Sequence, residues 1–196
     1  EPSRAPYERY TLCAMDALTA KVDTLIADTA WLASAKFSPD AKQVLINAST
    51  KAFDNIGLEV KPGQHPNAFD HRLYLYDIAT RQAKALLQGF KPSVDSYAWH
   101  PVNGLIYMTA ADGCNRTAWQ LNPTTLEVQQ LEMPVSYVTT FSFATQQKVP
   151  TAIVLGQDGG ERAREMFRVV LNPKKPKSQR IGDINFDELY KDVAMG

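Results

Sequence analysis

Three histidines, two cysteines and a scatter of loop carboxylates are the residues of this 196-residue chain whose types could do chemistry. Acyl transfer by serine needs a nucleophile exposed on a strained strand-to-helix turn, G-x-S-x-G, and no such stretch is present. His65, His71 and His100 fall in no recognisable order with a serine and an aspartate, although such groups meet in space rather than in sequence. His100 precedes the turn at Pro101 and reads as a strand-end residue. Cys13 and Cys114 match no zinc or redox spacing and read as buried small residues. No phosphate loop, zinc spacing or calcium loop occurs, so no catalytic residue, metal or cofactor is expected. The carboxylates that stand out are Glu59 and Asp70 in a long connection at 50–71, and Glu161 and Glu165 beside Arg162 and Arg164 in "GQDGGERARE". Taken alone they read as solvated hairpin charges or interdomain contacts, and the lysines of "NPKKPK" as a solvated turn.

Composition narrows the classes of function. Apolar residues at 44% and charged residues at 21% suit a globular chain able to build a core. With 21 basic and 21 acidic residues there is no electrostatic case for nucleic acid or an anionic membrane surface. No apolar run approaches the roughly 18 residues of a membrane span. The first residue is Glu1 and no signal peptide is visible, so the chain is expected to begin inside a larger or processed protein. Asn47-Ala48-Ser49 and Asn115-Arg116-Thr117 are formal glycosylation sequons, a pattern short enough to arise by accident.

The elements that would position these residues repeat. "LYLYDIATRQAKALL", "AWQLNPTTLEVQQL" and "FRVVLNPKKPKSQRIG" each run apolar, polar turn, apolar, and "CAMDALTAKVDTLI" is a fainter copy. Their turns open at Asp16, Asp77, Asn122 and Asn172. A second hairpin alternates with the first, marked by Phe37, Trp99 and Phe141 in "SAKFSPDAKQVLINAS", "SYAWHPVNGLIYMTA" and "VTTFSFATQQKVPTAIVLG". Both series share one rhythm, long first and then near-regular. A period of roughly 40–45 residues with four short strands is that of a β-propeller blade.

Local chemistry agrees. Ser38-Pro39-Asp40-Ala41 sets proline at the second position of a turn, and Asn103-Gly104 tolerates positive φ. "VLIN", "LIYMT" and "AIVLG" are continuous apolar runs, as inner strands require, and Phe37, Tyr97, Trp99 and Phe141 read as core between blades. An amphipathic helix through Leu12, Met15, Leu18, Val22, Leu25 and Ile26 is the competing reading of the first hairpin. The chain is thus expected to be all-β, a partial β-propeller of about three and a half four-stranded antiparallel blades. Residues 7–28 form the half blade, and 31–89, 94–134 and 137–182 the full ones. The segment 183–196, "DINFDELYKDVAMG", leaves the strand pattern as a short C-terminal linker or helix. Strand parity puts the connections at 50–71 and 156–165 on one face, with the loops around 89–94 and 132–136. Connections that long usually carry function or are disordered.

The pairing of "FSPDAKQVLINAS" with "LYLYDIATRQAKALL" resembles the repeats of TolB-like and prolyl-oligopeptidase-like propellers, where "SPDG" precedes "DxxTG". Ala41 and Arg81 stand where those turns carry glycine. From Phe37 to Met108 the chain resembles the propeller of bacterial serine peptidases of the prolyl oligopeptidase family, on the dipeptidyl-peptidase-IV-like side. That resemblance implies a non-catalytic propeller followed by a separate α/β-hydrolase domain, with 183–196 as the link. It implies a gate through which peptide substrates pass, in a secreted or periplasmic protein that could dimerise. It also implies that a carboxylate on the insertion face binds a peptide's free amino terminus, with Glu161, Glu165, Glu59 and Asp70 as the candidates. The other expectation left open is a TolB-like binding propeller with no enzymatic domain. A self-contained hydrolase of another fold would need a catalytic cluster the sequence does not offer.

Overall fold

The computed structural model describes residues 9–65, 67–144, 149–158, 164–171 and 177–181. The turn at Asn172, Glu161 and the segment 183–196 lie outside the described residues. The chain divides into two compact units, residues 1–95 and 96–196. It is nearly all β, in antiparallel sheets.

In the first unit, β1 (Arg9–Met15) and β2 (Val22–Ala30) form a hairpin, with Met15 opposite Val22 and Leu12 opposite Ile26. The helical reading of this stretch is therefore wrong. The Asp16 turn closes the chain on itself before a helix could propagate, and Leu18, at its tip, is 98% exposed. A four-stranded sheet follows in the order β3 (Leu32–Phe37), β4 (Gln43–Ser49), β5 (His71–Asp77) and β6 (Gln82–Ala85). Continuous apolar sequence makes β4 an inner strand, and every residue from Val44 to Ser49 is buried. Val44, Ile46, Tyr74 and Tyr76 form a core with Leu25, against which Leu12, Ile26 and Phe53 pack. Each fully buried aliphatic side chain there contributes about 1.5–3 kcal/mol. Tyr76 also donates its hydroxyl to the Leu25 carbonyl at 2.6 Å, joining the hairpin to the sheet.

In the second sheet system β7 (Ser93–Trp99), β8 (Ile106–Asp112), β9 (Asn115–Leu121) and β10 (Val128–Leu131) lie side by side. Next come β11 (Tyr137–Phe143), β12 (Thr151–Gln157), β13 (Glu165–Val170) and β14 (Lys177–Arg180). One parallel pairing, Tyr137 with Arg116, links β11 to β9, so each group of four is antiparallel within itself. Val138, Ala152, Val154, Phe167 and Val169 make the core of this unit with Tyr107 and Ala118.

The repeated turns share one chemistry. Asp16 Oδ1 accepts the amides of Leu18 and Thr19 and the Thr19 hydroxyl, and Asp77 Oδ1 accepts the Thr80 amide and hydroxyl. Asn122 Oδ1 accepts the amides of Thr124 and Thr125. These donors, the Thr19 and Thr80 amides first, hold the Asp16 and Asp77 carboxyls below their ordinary range. Each turn then needs a residue at positive φ: Ala20 at 56°, Arg81 at 56° and Leu126 at 62°. Ala41, in the Ser38 turn, sits at 55°. A left-handed L-residue costs roughly 1–2 kcal/mol that glycine avoids, less the extra entropy glycine loses on folding. Ala41→Gly should therefore raise stability by about 0.5–1 kcal/mol in urea unfolding. Ala79→Gly, in the next turn but outside the positive-φ set, should lower it.

Three expectations of burial fail. Phe37 is 54% exposed on β3, an edge strand that, among the described residues, has only β4 beside it. Cys13 and Cys114 are both exposed, the first on the outward side of edge strand β1 and the second in the tight β8–β9 turn. Trp99 is half-buried, whereas Phe141, also half-buried, packs against the core of its unit and Tyr97 is in the core.

Candidate functional site

The connection from β4 to β5 folds back over the end of its own sheet. It starts with a tight turn, α1 (Ala52–Asn55), in which Phe53, Asp54 and Asn55 are all left-handed, at φ 54°, 56° and 67°. Such a run persists only when its surroundings over-determine it. Here Ala52 is fully buried and the Phe53 ring packs on Tyr74 at 5.0 Å. Gly57 then crosses the Tyr74 hydroxyl so closely that a Cβ there would lie 2.1 Å from it. That hydroxyl donates to the Ser49 carbonyl at 2.9 Å, and burial pushes its pKa up to about 12. Gly57→Ala is expected to cost about 2 kcal/mol, because the buried Tyr74 ring must move and release Ser49. Denaturant unfolding of this variant beside Tyr74→Phe would separate the clash from the lost bond.

Beyond Gly57 the same connection encloses a cavity of about 350 Å3 with the loop that follows β6. Glu59, Asp70, Arg72, Lys91, Thr50 and Gly89 line it. Two hydroxyls tie the returning segment down, Thr50 to the Asn67 carbonyl at 2.7 Å and Ser49 to that of Ala68 at 2.6 Å. Glu59 Oε1 accepts the Gly89 amide at 2.8 Å, bridging the two loops. Arg72, second residue of β5, donates Nη1 to the carbonyls of His71 (2.9 Å) and Pro92 (3.1 Å). Its Nη2 reaches the Lys91 carbonyl at 3.4 Å and Asp70 Oδ2 at 3.6 Å. Burial lowers the Arg72 pKa, with the Asp70 charge first in opposing it, and the guanidinium stays cationic at neutral pH. Two acidic and two basic residues thus line the cavity, and the lining carries no net charge.

Of the four carboxylates singled out from sequence, the fold brings Glu59 and Asp70 to this one cavity. Glu165 opens β13 in the other unit and pairs with Arg180 at 3.1 Å. Arg72 and Lys91 were not singled out. The only sequence signal for Arg72 is a cation two residues after Asp70 at the head of an apolar strand.

The histidines have separate fates. His65 is exposed, His71 is half-buried at the start of β5, and His100 is fully buried. His100 is a turn cap rather than a plain strand end. Its Nδ1 accepts the amides of Val102 and Asn103, each at 3.3 Å, as Ser38 Oγ accepts the Gln43 amide in the equivalent turn. Among the described residues no three His, Cys, Asp or Glu side chains cluster as metal ligands would, and no helix is long and apolar enough to cross a membrane. Asn47 is 1% exposed within β4, so its sequon is inaccessible in the folded chain, whereas Asn115 is exposed.

No protein-family model matches the chain, and no curated protein matches it by sequence. Solved structures do. TolB from Acinetobacter baumannii is similar with a TM-score of 0.61 at 14% identity, over 88% of this chain and 40% of that one. The acylaminoacyl peptidase of Pyrococcus horikoshii gives 0.58 at 13% identity, over 94% of this chain and 26% of the other. A puromycin hydrolase gives 0.55 at 16% identity, over 84% and 23%. The chain spans less than half the length of each of these proteins. At such identities the likeness is one of fold: this is an antiparallel all-β chain of β-propeller-like architecture.

Proposed function

We propose that the chain is a partial β-propeller that docks and gates peptide substrates for a separate α/β-hydrolase domain of a dipeptidyl-peptidase-IV-like serine exopeptidase. Its blades are residues 31–89, 94–134 and 137–182, with 7–28 as a half blade and 183–196 as the link to that domain. In this reading the chain supplies no catalytic residue. The loop end of the sheets meets the hydrolase and admits short or unfolded chains, in a secreted or periplasmic protein able to dimerise. The observation that carries it is the cavity where the 50–71 connection meets the loop after β6, with Glu59 and Asp70 in its wall. The fold shared with an acylaminoacyl peptidase and a puromycin hydrolase supports it.

A second reading, a TolB-type binding propeller with no enzymatic domain, is favoured by the likeness to TolB, of which the chain spans a larger share. One experiment separates the two. The natural full-length protein is expected to be labelled by a serine-directed phosphonate and to cleave dipeptide amides with a free amino terminus, while residues 1–196 alone stay unlabelled. A natural protein that takes no label and cleaves nothing leaves the binding propeller.

A further inference from the structure

We propose that Asn103–Gly104, in the turn from β7 to β8, is a gated modification site. The Asn103 side-chain amide is lost through a succinimide only while this turn is open, and the isoaspartate that results keeps the turn from closing again. The inference goes beyond both readings of function and depends on neither.

Asparagine is thermolabile, and a following glycine has no Cβ to hinder attack on its side chain. This is the one Asn-Gly pair of the sequence, and Asn103 is exposed to water. Gly104 N attacks Asn103 Cγ. The N–Cγ bond forms, the Cγ–Nδ2 bond breaks, and Nδ2 leaves as ammonia, taking up the proton that Gly104 N gives up. Water then opens the ring, yielding aspartate where it adds at Cγ and isoaspartate where it adds at the main-chain carbonyl. Nothing but the chain's own atoms and water is consumed.

The closed turn opposes each of these movements. The Gly104 amide, the nucleophile, donates to the His100 carbonyl at 3.1 Å, with Gly104 at φ 70°. Both ends of the Asn103 amide are held: Oδ1 accepts the Leu105 amide at 3.0 Å, and Nδ2 donates to the Tyr107 hydroxyl at 3.0 Å. Tyr107 is 1% exposed, so that anchor is fixed by the core. The flanking backbone is pinned as well. The Trp99 indole donates to the Gly104 carbonyl at 3.1 Å, and the Asn103 amide donates to His100 Nδ1 at 3.3 Å. Cγ reaches Gly104 N only after these bonds part. Cyclisation is far slower than the closing of a turn, so the native rate is the open-chain rate multiplied by the fraction of turns open. Isoaspartate routes the main chain through Cγ and lengthens it by a methylene, which carries Gly104 away from the His100 carbonyl.

Peptide mapping by mass, with an isoaspartate assay, follows Asn103 during incubation at pH 7.5 and 37 °C. In the folded protein its amide should be lost at least about tenfold more slowly than in the synthetic peptide of residues 97–107. Tyr107→Phe and Trp99→Phe should each speed the loss by about two- to tenfold, the worth of one neutral hydrogen bond. Gly57→Ala, which destabilises the other unit, should leave the rate unchanged. Aged protein carrying isoaspartate should unfold at lower urea than Asn103→Asp, which has the charge without the longer backbone. Equal rates in protein and peptide, or indifference to both Tyr107→Phe and Trp99→Phe, would overturn the gate. Gly57→Ala matching their acceleration would also overturn it, by making the opening global. Aged protein as stable as Asn103→Asp would overturn the one-way step.

Discussion

Gly156→Ala is expected to lower the stability of the protein by about 3 kcal/mol or more, the range of an overpacked site that cannot relax. Gly156 is buried in β12, opposite Val138 of β11 and Glu165 of β13. A Cβ built there would lie 2.5 Å from Val135 Cγ2 and 2.6 Å from the Tyr137 carbonyl oxygen. The valine could swing away; the carbonyl could not. Tyr137 is held on one side by its pairing with Gln157 and on the other by the single bridge to Arg116. The register of β11 shifts between Val138 and Thr140, so the strand already bends at this point and has little slack. Glycine inside a strand often marks such a close backbone approach. Urea unfolding with an unchanged m-value reads the loss directly, and a loss under 1 kcal/mol would mean that the two strands part at no cost.

How much of this was legible in the sequence depends on the range of the forces involved. The turns at Asp16, Asp77 and Asn122 could be aligned by eye because an Asx carboxyl or amide bonds its own backbone two and three residues on. Nothing distant is needed. The inner position of β4 was equally plain, since "VLIN" cannot sit at an edge without exposing three apolar side chains. Burial on β1 and β3 was not legible. Cys13 and Phe37 have the composition of core, and they are exposed on strands that, among the described residues, pair on one side alone, β1 with β2 and β3 with β4. Half of the candidate site could be found, because acidic residues in a long connection attract notice. Arg72 could not. Its role comes from carbonyls of residues 91 and 92, brought to it by the turn of β6 and the loop beyond. His100 failed for the same reason: a histidine before proline reads as a strand end until the amides of the turn are placed around its ring.

That histidine carries the other large expected effect. His100→Ala should cost about 3 kcal/mol at pH 7.5, from a cavity beside Tyr107 and Phe143 and two turn amides left without an acceptor. His100→Ser should recover part of this, because Ser38 already caps the equivalent turn with its hydroxyl. The wild-type protein should also be acid-labile in a window of its own. With Nδ1 accepting two amides, the proton of neutral His100 is on Nε2, which is buried without a partner among the described residues. Charging the ring would place a second proton on Nδ1, against those amides, inside an apolar cluster. Burial accordingly lowers the folded-state pKa below the ordinary 6.5. The unfolded chain then binds a proton that the folded chain refuses as pH falls through 6.5. Stability is complete above that value and declines below it, by at most about 1.4 kcal/mol per pH unit for one proton, until the folded pKa is reached. Asp16, Asp40 and Asp77, whose pKa values are lowered from 3.8 by turn donors, add their own losses only at lower pH. Unfolding free energies measured from pH 7.5 to 5.0 should fall for the wild type and lose most of that slope in His100→Ser. A slope that survives the substitution would move the acid sensitivity to another group and leave His100 a structural cap alone.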